Sequence, residues 1–396
     1  MRYVVNDQVV LSRAPEGPLA AYLSQFAESL SQQGYSLRHI RCQVMLAAYF
    51  SWWLKKTRVP LNFVASPHAG QCLRSRYRRR QPRAGDHAAI GHFIEFLRRD
   101  GVLPNEGVPL VQLTSVEQCV RAYEQYLREE RALTEGTIVA YVPFITRFLE
   151  DCFGSRPSKL SRLRVRDVVE FVQREALRLP PKRAKLLTSA LRSFLQYLRY
   201  SGENPLDLAA AVPSVANWSM PSIPRGIASE QVHRLLRGID RSTPMGRRDY
   251  AILLLLARLG LRSGEVAFLE LEDINWQDGC WSVHGKGSRR TRLPLPTDVG
   301  AAIAAYLRHG RPPCATSRRV FLRARAPIRG FLSQCAVGAV VHHALLRAGI
   351  DAPTTGAHQF RHALATQMLR QGASLAEIGG LLGHRSPETT KIYYTQ

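Results

Sequence analysis

Apolar residues recur at intervals of three and four through most of this chain. The stretches VRAYEQYLREER, TIVAYVPFITRFLEDCF and KRAKLLTSALRSFLQYLRYSG each predict an amphipathic helix, and GYSLRHIRCQVMLAAYFSWWL predicts another. In the carboxyl half CWSVHG and TRLPL read as a small antiparallel hairpin about the turn GKGS. The expected fold is therefore mainly α, with a small antiparallel β-sheet in the carboxyl half. The longest apolar run, AILLLLA from Ala251, is too short to span a membrane and reads as a buried helix.

A stretch rich in Pro and Ser, AVPSVANWSMPSIPRG from Ala211 to Gly226, punctuates the helical pattern. It predicts a linker over 213–226 between an all-helical amino half and a separate part over 227–396. The amino half carries an internal parallel. GYSLRHIRCQVMLAAYFSWWL matches ALTEGTIVAYVPFITRFLEDC, pairing Ser36 with Thr134, Ile40 with Ile138, Val44 with Val142 and Phe50 with Phe148. FIEFLRRDG at Phe93 then matches FLQYLRYSG at Phe194. Two matches at an offset of about a hundred residues point to a duplication, giving helical units over 1–108 and 109–212. The alternative is that two amphipathic helices ending in a glycine resemble each other without common origin.

Charge changes the picture. Fifty-five Lys and Arg stand against 31 Asp and Glu, a formal net charge of +24, which favours phosphate contacts and a nucleic-acid partner. The cluster RSRYRRRQPR contains Arg74, Arg76, Arg78, Arg79 and Arg80, and reads either as a DNA-backbone contact or as a solvated loop. Arg318, Arg319, Arg323, Arg325 and Arg329 form a second scatter with the same two readings, and Arg289 and Arg290 follow the GKGS turn. The seven cysteines show no paired spacing suggesting zinc, and no signal peptide precedes them, so the expectation is reduced thiols in a cytoplasmic protein with no membrane partner.

The chemistry concentrates near the carboxyl end. His358, Arg361 and His384 precede the pair Tyr393 and Tyr394, while GLRSGEV supplies Arg262 beside Glu265, and HGKGSRR supplies Lys286. A phosphodiester under attack gains negative charge on its non-bridging oxygens, which two guanidinium forks can hold. A tyrosine hydroxyl, with an ordinary pKa of about 10, attacks only when a base or local positive charge favours phenolate. His358 and the arginines supply both, and a turn lysine such as Lys286 can protonate the leaving 5′ oxygen. His358, Arg361 and His362 fall on one face of a helix, with Phe360, Leu364 and Met368 on another. Ser374 and Glu377 form a capping box opening LAEIGGLL, which ends at Gly383; Ser386 and Pro387 open one more helix carrying Tyr393. Glu265 reads as a brace for Arg262 or as a solvated pair, and His362 as support for the site or as packing.

GLRSGEV, HGKGSRR, HQFRH and LGHRSPETTKIYY, in that order, resemble the motifs of the tyrosine recombinase, or phage integrase, family. The resemblance implies helical SAM-like DNA-binding units followed by a mostly helical catalytic domain with a small antiparallel sheet. It implies that Arg262 and Arg361 clamp the scissile phosphate, Glu265 braces Arg262, His358 assists proton removal, Lys286 is the general acid, His384 bonds the phosphate and Tyr393 is the nucleophile, with Tyr394 the second choice. The implied reaction passes through a 3′-phosphotyrosyl link and needs no cofactor and no metal. The implied partners are double-stranded DNA with core sites, four protomers on that DNA and, in some systems, partner recombinases. The additional amino-terminal unit points to a mobile-element recombinase; the competing reading is a catalytically impaired DNA-binding remnant or accessory protein. Only Tyr394, Thr395 and Gln396 follow the expected nucleophile, so subunit coupling is expected from another part of the chain, or the gene is truncated.

Overall fold

The structure is a computed structural model, and it describes residues 3–6, 9–11, 14–78, 80–104, 114–154, 159–214, 226–284, 290–313, 315–352, 354 and 356–383. The predicted linker lies largely outside these residues, as do Arg79, Lys286, Arg289, His384, Tyr393 and Tyr394. The chain forms two compact units, one made of residues 1–105 and 222–396 and the other of residues 106–221.

The first unit opens with an antiparallel strand pair, β1 (Tyr3–Asn6) and β2 (Val9–Leu11). Four helices follow: α1 (Leu23–Gln32), α2 (Leu37–Thr57), α3 (Ser66–Tyr77) and α4 (Asp86–Arg99). In α2 the residues Ile40, Val44, Ala47, Phe50 and Leu54 recur every three or four positions, and all are at most 3% exposed. They meet Phe26 of α1 and Phe93 and Leu97 of α4 in a core of their own.

The second unit repeats this pattern. Its helices are α5 (Ser115–Glu129), α6 (Glu135–Phe153), α7 (Val165–Arg178) and α8 (Pro181–Tyr200). A capping box between Thr114 and Glu117 opens α5, each side chain taking the other residue's backbone N–H. Pro143 lies inside α6 and removes one donor from its ladder; the helix continues because Ile138, Ile145 and Phe148 are anchored in the core. Of the residues paired by sequence, Ile40 and Ile138, Phe50 and Phe148, and Phe93 and Phe194 are all at most 3% exposed, whereas Val44 is buried and Val142 only partly so. A single 3-10 turn precedes the third helix in each case, at Leu61–Phe63 and at Leu160–Arg162.

The rest of the first unit contains α9 (Ser229–Arg237), α10 (Pro244–Leu259), α11 (Ser263–Ala267), β3 (Ile274–Asn275), β4 (Cys280–His284), β5 (Arg290–Pro294), α12 (Thr297–His309), α13 (Cys335–Arg347), α14 (His358–Arg370) and α15 (Leu375–Leu382). The strands form one antiparallel sheet in the order β3-β4-β5, with His284 opposite Arg290 and Cys280 opposite Pro294. Ala251 to Leu256 on α10 are each at most 3% exposed, because α10 is covered by α9, α12, α13 and α14. This is the apolar run expected to form a buried helix. Where α1 ends, the Gln33 carbonyl accepts from the Ile328 N–H at 2.9 Å, so the two parts of this unit touch. Among the described residues no helix is long and apolar enough to cross a membrane.

Candidate active site

The site grows from the end of α10. That helix stops at Gly260, whose φ of +57° is a left-handed cap that glycine adopts without a Cβ penalty. Glycine is needed there for space as well. A Cβ at Gly260 would stand 2.8 Å from Leu382 Cδ2 and 3.1 Å from Leu364 Cδ2, so α10 ends directly against α14 and α15. Two residues later Arg262 occupies the N-cap of α11, where Glu265 binds it twice: Oε2 accepts from the Arg262 N–H and Oε1 from Nη1, both at 2.7 Å. The Glu265 side chain is 8% exposed and that of Arg262 is 42% exposed, so the carboxylate is fixed in the protein while the guanidinium reaches solvent.

Arg361 comes from the first turn of α14 and is 2% exposed. A buried guanidinium without acceptors is costly, and here carbonyls supply them. Nη1 donates to the Gly260 carbonyl at 2.7 Å. Nη2 donates to the Leu382 carbonyl. Arg262 Nη2 donates to the next carbonyl, that of Gly383, at 3.3 Å. Both arginines therefore converge on the last carbonyls of α15, the negative end of that helix. Gly383 has a φ of +60° and caps α15, whose start is the Ser374–Glu377 capping box with N–H to carboxylate and N–H to hydroxyl distances of 2.8 and 3.3 Å.

His358 is the first residue of α14 and opens to solvent. Burial on its inner side pushes its imidazole below the ordinary histidine range, and the charges of Arg361 and Arg262 push it the same way. A neutral imidazole beside two guanidiniums is a proton acceptor. His362 packs edge-on against it, with ring centroids 4.5 Å apart. The structure thus brings Arg262, Glu265, His358, Arg361 and His362 together. Among the described residues no three His, Cys, Asp or Glu side chains gather as a metal-ligand set.

The basic cluster of the amino-terminal part divides. Arg74, Arg78 and Arg80 are exposed, whereas Arg76 bonds Asp86 at 3.3 Å with only 15% of its side chain exposed and lies over the Tyr49 ring. In the second scatter, Arg318 pairs with Glu272, while Arg319 pairs with Glu270 and stacks on Phe268. Gly260 and the carbonyls of Leu382 and Gly383 were not singled out by sequence reasoning. The only signal was a glycine at the end of an apolar helix, which reads as an ordinary cap.

Two arginines and a histidine are thus gathered on a helical scaffold with a small sheet, beside the end of α15. The phage integrase family model matches residues 225–396, and the model of the phage integrase N-terminal SAM-like domain matches residues 120–202. The chain is 52% identical to the y4rA protein of Sinorhizobium fredii, designated an integrase/recombinase, across 99% of this chain and 95% of that one. It is 31% identical to the tyrosine recombinase XerD of Listeria innocua, across 68% of this chain and 90% of XerD. Its fold is similar to the XerH site-specific recombinase bound to palindromic difH substrate, with a TM-score of 0.53 at 20% identity, covering 77% of this chain and 91% of XerH. It is also similar to a lambda integrase tetramer bound to a Holliday junction, with a TM-score of 0.54 at 16% identity, covering 79% and 87%. The chain belongs to the phage integrase family of tyrosine recombinases, enzymes that cleave and rejoin DNA.

Proposed function

We propose that this recombinase cleaves DNA with Tyr393 as nucleophile, holding the scissile phosphate between Arg262 and Arg361. His358 takes the tyrosine proton, His384 bonds a non-bridging oxygen and Lys286 protonates the departing 5′ oxygen. The phosphate-to-tyrosine bond replaces the phosphate-to-5′-oxygen bond, and attack by a partner's 5′ hydroxyl reverses the exchange. No cofactor enters that balance. The observation that carries the reading is the convergence of Arg262 and Arg361 on the carbonyls of Gly383 and Leu382, one residue short of His384.

The same reading divides the chain into a first helical unit over 1–108, its duplicate over 109–212, a linker over 213–226 and a catalytic domain over 227–396. It takes double-stranded DNA as the partner of both the helical units and the catalytic domain. Four protomers act on two sites, by likeness to the lambda integrase tetramer on a Holliday junction, in the service of a mobile element. The test is strand exchange between two plasmid-borne sites in EDTA without ATP, the sites recovered by selecting random duplexes that the protein captures covalently. Recombinant products are expected. Nicked or linear hydrolysis products without recombinants would overturn the reading.

A further inference from the structure

The first 105 residues lie outside both stretches matched by the family models, 120–202 and 225–396. They nevertheless hold a wide groove of about 920 Å³ between α2, α3 and α4. Its rim carries Arg38 from the first turn of α2 and Arg80 and Arg83 from the α3–α4 connection, all three exposed. Its wall carries Arg76, and the acid lining it is Asp86. Asp86 is committed: one carboxylate oxygen accepts from Arg76 Nη1 at 3.3 Å, from the Tyr77 hydroxyl at 3.4 Å and from the Arg83 N–H at 3.3 Å. That carboxylate neutralises Arg76 and fixes the connection, leaving Arg38, Arg80 and Arg83 without an ion pair among the described residues.

We propose that this groove is a second DNA-binding site, taking the phosphate backbone of a duplex through Arg38, Arg80 and Arg83. The proposal rests on the reading of the chain as a DNA recombinase. Three observations support DNA as the occupant. Unpaired guanidiniums on the rim of a groove suit a polyanion better than a compact ligand. The groove is open and wide. The unit matched by the SAM-like model is basic at the same junction, with Arg178 ending α7 and Lys182, Arg183 and Lys185 opening α8. Arg76 is a positioning residue: it orders the connection through Asp86 and Tyr49 and leaves phosphate contact to its neighbours.

The test is the salt dependence of the full chain's affinity for a fluorescein-labelled 60-base-pair duplex of fixed arbitrary sequence, read by anisotropy. Each phosphate contact adds about 0.9 to the slope of log K against log salt, so the Arg38→Gln/Arg80→Gln/Arg83→Gln variant is expected to lose about 2.7 from it. A control variant, Lys56→Gln/Arg58→Gln/Arg99→Gln, removes the same charge from the same part of the chain away from the groove, and is expected to keep the wild-type slope. Circular dichroism checks that both fold. An unchanged slope in the groove variant, or an equal loss in the control, overturns the proposal. Covalent capture of nicked duplexes reads the recombinase function separately: adducts formed while the groove variant keeps its slope would remove the groove alone.

Discussion

Replacing Glu265 separates what the carboxylate does for the fold from what it does for Arg262. Each oxygen has one task, Oε2 capping α11 at the Arg262 N–H and Oε1 holding the guanidinium, both at 2.7 Å. Glutamine keeps one acceptor and turns an NH2 group toward a donor, so only one task survives. A charge-assisted hydrogen bond contributes about 1.5–3 kcal/mol when sheltered. The Arg262 side chain is 42% exposed, and solvent screening reduces the figure to about 1–1.5 kcal/mol. If that energy holds the guanidinium in its productive orientation, Glu265→Gln slows cleavage by roughly five- to ten-fold. Its unfolding free energy falls by no more than that same amount, about 1–1.5 kcal/mol. Glu265→Ala loses the cap too, and is expected to be destabilised by about 1 kcal/mol more, visible in urea unfolding. The assay is single-turnover formation of the covalent adduct on a nicked duplex, with DNA affinity measured in parallel. Cleavage by Glu265→Gln within two-fold of wild type would refute the brace and leave Glu265 as a helix cap only.

The depressed His358 pKa predicts an acid limb in the cleavage rate that sets in below the ordinary value of about 6.5 and is absent in His358→Asn; a limb centred above that value would contradict the assignment. Because the folded chain holds that proton less tightly than the unfolded one, the same group makes stability rise with pH from the folded pKa up to about 6.5, which urea titrations of wild type and His358→Asn will compare. Gly260→Ala forces alanine to a φ of +57° with its Cβ 2.8 Å from Leu382 Cδ2, and is expected to cost about 2–4 kcal/mol in urea unfolding, with cleavage reduced because Arg361 loses its seat; a neutral result would mean that α10 can draw back freely. Lys286→Ala is expected to cleave a normal 5′ oxygen slowly and a 5′-bridging sulfur nearly as fast as wild type, since the thiolate leaves without a proton; equal loss on both would assign Lys286 to binding.

The local features of this fold were written in local sequence. The period of α2 and α6, the capping box of α15 and the hairpin of β4 and β5 each follow from a few neighbouring residues. The common face of His358, Arg361 and His362 is likewise a property of one helix. What could not be read was set by partners far along the chain. Arg361 is buried because it finds carbonyls 101 and 21 residues away. Gly260 caps α10 and is also the space into which α14 and α15 fit, a role set by Leu364 and Leu382 far along the chain. The run from Arg74 to Arg83 looked uniform, but Asp86 and Tyr49 draw Arg76 inward while Arg78 and Arg80 stay exposed. Charge runs show sign and density; which member is tied down depends on the acid that the fold brings beside it.

The proposed reaction turns on covalent chemistry at one oxygen. The most direct test traps the chain on a nicked suicide duplex, digests the adduct with nuclease and protease, and sequences the nucleotide-bearing peptide by mass spectrometry. A 3′-phosphate ester on the hydroxyl of Tyr393 is expected, formed by wild type and by Tyr394→Phe and lost in Tyr393→Phe. A linkage at Tyr394, or an adduct that persists in Tyr393→Phe, would contradict it.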